Sequence, residues 1–178
     1  MIEILILSIV QGITEFIPVS SSSHLIILSN LSEFDSNDIS IDVNLHLGSL
    51  LAVIIFFKKE IVNFTKNKKL FKKIILSSLP VIILGYLLIH YNLIDHIRNL
   101  KTIAWTTLIF GVLLYISDRF KSKKKLEKDF SYKIAIIIGL FQMLSLIPGV
   151  SRSGIVISAA RMSNFNRFDS AKISFLLS

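Results

Sequence analysis

The residues whose types and spacing could do chemistry lie in two interruptions of apolar sequence. In the first, Gln11-Gly12-Ile13-Thr14-Glu15-Phe16-Ile17-Pro18-Val19-Ser20-Ser21-Ser22-Ser23-His24, an apolar run takes up a carboxylate, is broken by Pro18 and resumes through four hydroxyls and an imidazole. In the second, Pro148-Gly149-Val150-Ser151-Arg152-Ser153-Gly154, a guanidinium and two hydroxyls enter an apolar stretch. Of the 32 Asp, Glu, Lys and Arg residues, only Glu15 and Arg152 lie deep in apolar surroundings. At the centre of a membrane helix each would cost roughly 2.5 to 3.5 kcal/mol. Such costs imply use or mutual pairing, and a purely structural Glu15–Arg152 ion pair is the alternative to a functional role.

Helices beginning after Val19 and after Gly149 would aim free N–H groups and positive dipole ends at the same depth. Arg152 can hold a phosphate through two parallel hydrogen bonds, so the second break reads as an anion cradle. Ser151 and Ser153 either serve that cradle or cap the helix. Ser20 and Ser23 read as caps. Ser21 and His24 are three residues apart and share a helix face, and an imidazole suits proton transfer near neutrality; an interior histidine satisfied by packing is the alternative. Glu15 gains nothing from an anionic substrate, and a divalent cation or a proton-transfer role explains it better. Gln11, one turn earlier, supplies a further neutral oxygen or a hydrogen bond across the bundle. His46 and Gln142, at span edges, read as ordinary packing, and Trp105 as an interfacial anchor.

These residues must be positioned by elements suited to a membrane. Hydrophobic residues make up 52% of the 178 and the mean hydropathy is +0.67, which places the chain in the membrane class. The net charge of +8 sits in two clusters without aromatic interleaving, so no nucleic-acid partner is expected. The chain has no cysteine, which excludes a disulfide framework and a thiolate metal site. The amino terminus has no basic leader and carries Glu3, so residues 1 onward are expected to stay in the mature chain.

The predicted fold is all-α and polytopic. Residues 2–17 and 19–31 give helical arms of roughly 24 and 20 Å, each too short for a hydrocarbon core of about 30 Å. They predict a re-entrant hairpin over 2–31, with its irregular backbone lining a polar cavity. Spans follow at Val43–Phe57, Ile74–Tyr91 and Thr102–Ser117. The loop from Lys58 to Lys73 holds seven lysines against Glu60, and that from Asp118 to Lys133 seven basic residues against three acids. By the positive-inside rule both are cytoplasmic. The acidic segment 33–42 and the weakly charged loop 92–101 fall outside. A second re-entrant hairpin is expected over Ile134–Ala160, entering from the cytoplasm. Residues 1–130 then form one repeat and 131–178 the start of an inverted second, whose broken-helix tips meet near the midplane. The second repeat is much shorter than the first, so a closing set of spans is expected to be missing, as in a fragment.

Gln11-x-x-x-Glu15 followed by Phe16-Ile17-Pro18-Val19-Ser20-Ser21, then His24, Pro148-Gly149-Val150-Ser151-Arg152-Ser153 and Ser174-Phe175-Leu176-Leu177 together resemble the bacitracin-resistance type of undecaprenyl-diphosphatase. The resemblance runs over the whole chain. It implies a multi-pass enzyme of the bacterial inner membrane, its site open toward the periplasm. The implied reaction is hydrolysis of undecaprenyl diphosphate, a polyprenyl diphosphate lipid, which recycles the carrier of peptidoglycan synthesis and confers bacitracin resistance. A divalent cation (Mg or Ca) is implied as cofactor, with Glu15 and Gln11 as its ligands. By position, Glu15, Ser21, His24 and Arg152 are the catalytic residues, and Ser151, Arg152 and Ser153 bind phosphate. Val156 stands where the second motif usually carries threonine. Either Ser21 attacks the terminal phosphorus or His24 activates a water. A homodimer is a further expectation. The rivals are a secondary transporter, since broken helices in inverted repeats are typical of that class, and an inactive fragment. Topology is directly testable: cysteines at Ser36 and Ser122 should react with an impermeant reagent from opposite sides of the membrane, and labelling from one side would overturn the inverted repeat.

Overall fold

The computed structural model describes residues 2–32, 39–56, 58–91 and 99–177. Helices α1 (Ile2–Thr14) and α2 (Ser21–Ser32) flank the first break, followed by α3 (Ile39–Phe56), α4 (Lys58–Lys66), α5 (Lys68–His90) and α6 (Leu100–Ser117). A single turn, α7 (Leu126–Asp129), leads to α8 (Tyr132–Gln142), which tightens into a 3-10 turn at Met143–Leu146 before the second break. Helices α9 (Arg152–Met162) and α10 (Arg167–Leu177) complete the described chain. No strand occurs among the described residues, as an all-α fold requires.

Local sequence sets several of these boundaries. Asn67, Asn99, Ser131 and Ser151 each accept a hydrogen bond from the backbone N–H three residues on, capping α5, α6, α8 and α9. The cap at Asn67 changes one expectation. Lys58–Lys73, read as a loop, is helical, forming α4 and the first turns of α5. Helix α5 thus reaches 23 residues, about 35 Å at 1.5 Å per residue, rather than the shorter span predicted from Ile74. The expected outer segments fall largely at 33–38 and 92–98, outside the described residues.

Helices α5 and α6 are long and apolar enough to cross a membrane, and only 11% of each apolar window is buried. A core helix of a water-soluble protein would hide most of that surface. Here Ile82, Ile83, Tyr86 and Ile89 on α5, and Trp105, Leu108, Ile109 and Val112 on α6, face outward. The buried core lies instead where α8, α9 and α10 meet α5 and α6, around Ile74, Phe130, Ile138, Val156, Phe165 and Ile173. Two close approaches bind it. Ser77 Oγ donates to the Ala135 carbonyl, and a Cβ at Gly139 would collide with the Ser77 backbone, so α5 and α8 touch through small residues. Val156 belongs to this core.

Arg161, directly after the expected hairpin 134–160, is buried, with 3% of its surface exposed. Its guanidinium donates to the carbonyls of Phe165, Asp118 and Phe120 and to Ser122 Oγ, at 2.6 to 2.8 Å. Its Nε lies 3.3 Å from Asp118 Oδ1. Arg167 grips the same carboxylate through two nitrogens. Since Ser122 takes part, the neighbouring exposed Lys121 is the better position for a topology label. The Arg167 hydrogen bond first, then the positive fields of Arg167 and Arg161, outweigh desolvation and hold the Asp118 pKa below its ordinary value. A lowered carboxylate pKa means the contribution is complete above the unfolded-state value of 3.8 and is lost as pH falls through the folded-state value. The thermal stability lost in Asp118→Asn should therefore be constant around neutrality and shrink on acidification below that range. Arg161→Ala should cost about 1 to 3 kcal/mol or more, because it leaves carbonyls such as that of Phe165 without their donor.

Candidate active site

The two breaks meet. Helix α1 packs on α2 and α8 on α9, making each break a tight hairpin tip. The Pro18 carbonyl lies so near the first turn of α9 that a Cβ on Gly154 would approach it to 3.1 Å. The second tip is held from α6, where Thr106 Oγ1 donates to the Pro148 carbonyl at 2.6 Å and Thr107 Oγ1 to that of Gly149 at 3.2 Å. Gly149 has φ +94°, and a Cβ there would run into Thr106 Oγ1. Backbone conformation and space both require glycine.

Glu15 is the hub of the polar residues. Its Oε2 accepts hydrogen bonds from Ser21 Oγ at 2.7 Å and from Gln11 Nε2 at 2.9 Å, and lies 3.5 Å from His46 Nδ1. Its Oε1 lies 3.8 Å from the Arg152 guanidinium across the breaks. The same Gln11 nitrogen is 2.9 Å from His46 Nδ1. An amide nitrogen only donates, so in this contact Nδ1 stands as the acceptor. Gln11 is buried, and its Oε1 has no hydrogen-bond partner.

Ser151 Oγ caps α9 by accepting from the Gly154 N–H at 3.1 Å and lies 3.0 Å from Ser153 Oγ. Ser20 does the same for α2, accepting from the N–H and Oγ of Ser23. Ser21, in the first turn of α2, turns its hydroxyl back across the break to Glu15. His24 is on the same helix but folds onto it, Nδ1 donating to the Ser20 carbonyl at 2.7 Å. The ring does not line the cleft that Glu15, Ser21, Ser151, Arg152 and Ser153 share.

That cleft has a volume of about 1090 Å³, at the upper end for small-molecule sites. Its polar lining includes the residues above. Its walls are apolar, with Val43, Leu47, Leu50 and Ile54 forming a stripe along α3 roughly 16 Å long at 1.5 Å per residue. Five polar lining residues, His46, Ser49, Gln142, Ser145 and Lys172, were given no site role by the sequence. His46 stands one turn from Val43 and Leu50 on the cleft-facing stripe of α3, a spacing that could have marked it. Gln142 is buried with Oε1 unpartnered, and Lys172 on α10 adds a second cation to the lining. Both were read from their place at a span edge or flank, which carries no sign of the cleft.

A profile of the bacitracin resistance protein BacA family matches residues 4–178. The chain belongs to this family. It is 55% identical over 99% of its length to an undecaprenyl-diphosphatase of Pelagibacter ubique, covering 69% of that protein. It is 39% identical over its full length to one of Ruegeria sp., covering 72%, and 41% identical over 97% to one of Saccharophagus degradans, covering 69%. The chain thus spans about seven tenths of the length of these family members.

Among the described residues there is no group of three or more His, Cys, Asp or Glu side chains placed to hold a metal. The donor set at Glu15 nonetheless suits a hard divalent cation of the kind that takes one or two carboxylates and completes its shell with substrate phosphate. A half-turn of the Gln11 amide would bring its orphaned oxygen into the place of the nitrogen, beside the carboxylate. The tip geometry itself is testable. Gly149→Ala should lower stability by about 1 to 2 kcal/mol from the positive φ alone, with a further loss from the Thr106 collision, read as a drop in Tm of the detergent-purified protein.

Proposed function

We propose that this chain hydrolyses undecaprenyl diphosphate to undecaprenyl phosphate and inorganic phosphate. The observation that carries the reading is the convergence of Glu15, Ser21 and Arg152 in a large, mostly apolar cleft. Such a cleft suits an anionic head on a hydrocarbon tail. Family membership and the names of the relatives support the same substrate and the link to bacitracin resistance.

Arg152 and the α9 N–H groups hold the terminal phosphate, with the Ser151 and Ser153 hydroxyls beside it. Ser21 Oγ, hydrogen-bonded to Glu15, attacks the terminal phosphorus as its proton passes to the carboxylate. The bond to the bridging oxygen breaks and undecaprenyl phosphate leaves. Water then cleaves the phosphoserine to release phosphate, and Ser21 regains a proton. Glu15 and Gln11 would hold a divalent cation, which supplies charge stabilisation for the transferring phosphoryl group. The hydrogen bond from Ser21 to Glu15 favours this route over a water activated by His24.

The outward-facing apolar surfaces of α5 and α6 support a multi-pass membrane protein. The lysine distribution and the meeting of the tips support an inverted repeat of two re-entrant hairpins, with the site open to the periplasmic side.

The test is phosphate release from undecaprenyl diphosphate by purified protein. A guanidinium that grips phosphate at two points is not replaceable by a point charge, whereas lysine would serve to neutralise Glu15. Arg152→Lys should therefore fold normally and lose at least tenfold in kcat or apparent affinity, about 1.4 kcal/mol. Glu15→Gln should lose most turnover. Normal kinetics in Arg152→Lys would reduce the Glu15–Arg152 contact to a structural ion pair.

A further inference from the structure

His46 has no part in the mechanism above, yet the structure sets its ring nitrogen against the acidic hub. Three facts about that position belong together. His46 Nδ1 and Glu15 Oε2 are 3.5 Å apart. The Gln11 NH2 group stands 2.9 Å from each, spending its two hydrogens on two acceptors. The other terminal atom of that amide, Oε1, is buried without a partner.

A nitrogen lone pair and a carboxylate oxygen facing one donor group make a site that a cation can take over. Two ligand atoms at about 2.1 Å from a metal, at angles between a right angle and a tetrahedral one, lie roughly 3.0 to 3.5 Å apart. The Nδ1–Oε2 separation falls at that limit without movement of either helix. When the amide turns over, the NH2 group vacates the gap and the orphaned Oε1 becomes a third donor to whatever fills it. The present conformation leaves one buried acceptor unsatisfied, and the cation-bound one would satisfy it.

We propose that His46 is a direct nitrogen ligand of the divalent cation at Glu15, with Gln11 Oε1 as a third ligand, and that this imidazole tilts the site from Mg2+ toward Mn2+. The inference rests on the reading of Glu15 as a cation ligand and extends it. An all-oxygen set suits Mg2+ and Ca2+, whereas a nitrogen ligand favours any first-row transition ion over Mg2+, with Mn2+ the one that still accepts the remaining oxygen donors. The placement fits: Nδ1 faces the gap between Gln11 and Glu15 that the cation would fill.

The experiment uses Mn2+ alone, added to the full chain in detergent micelles, with bound ion counted by EPR and its ligands read by pulsed EPR. Bound Mn2+ should show the nitrogen-14 modulation of a coordinated imidazole. The modulation should vanish in His46→Gln, persist in His24→Gln, and be accompanied in His46→Gln by at least about tenfold weaker Mn2+ binding with Mg2+ affinity little changed. Bound Mn2+ without nitrogen modulation overturns the role of His46 and leaves Glu15 as a cation ligand. Modulation surviving in His46→Gln overturns it as well. Absence of Mn2+ binding up to about 1 mM overturns both readings, and hydrolysis by the protein can be measured independently of either.

Discussion

The structure depends on a constraint of backbone chemistry. A helix interrupted in apolar surroundings exposes N–H and C=O groups that must find partners, and here each interruption is satisfied largely by the rest of the protein. Ser20 and Ser151 cap the restarting helices, Thr106 and Thr107 take up the carbonyls of Pro148 and Gly149, and Pro18 and Gly154 bring the tips together. Only after those demands are met do Glu15 and Arg152 stand close enough to share a cleft. The same tight tips that satisfy the backbone bring a carboxylate and a guanidinium from distant sequence to 3.8 Å.

Much of this was legible because it conflicts with its surroundings. Glu15, Arg152 and the serine runs are costly in apolar sequence, so composition alone marked them. Gly149 was marked by its place after Pro148, and its positive φ gives the physical reason. What could not be read depended on long-range proximity. His46 sits in α3 as an unremarkable polar residue until α3 is laid against α1. Arg161 resembled any basic flank, and only the folded chain shows five polar atoms gathered around it. His24 shows the converse. Helical spacing put it on a face with Ser21, but the first turn of a capped helix directs side chains by local hydrogen bonds, and the ring bonds its own helix.

The division of labour in the bundle follows from where the burial lies. The second broken stretch is embedded in the core of α5, α6, α8, α9 and α10, whereas the first is carried by α1 and α2 and packs on α3. Arg152 is therefore mounted on the more buried part of the molecule. Gln11 and His46 sit on α1 and α3, and Glu15 just beyond the end of α1, outside that core.

The cap at Ser151 has a kinetic consequence. Its oxygen already accepts the Gly154 N–H, and it shares a hydrogen bond with the Ser153 hydroxyl. A hydroxyl whose lone pair is engaged is a more polarised donor. An anion arriving at α9 can be met by rotation about two C–O bonds, without breaking the cap or moving the chain. Side-chain rotation of this kind takes picoseconds to nanoseconds, orders of magnitude less than loop closure. On the proposed reading, a phosphate at this turn would be met and released by such rotations alone.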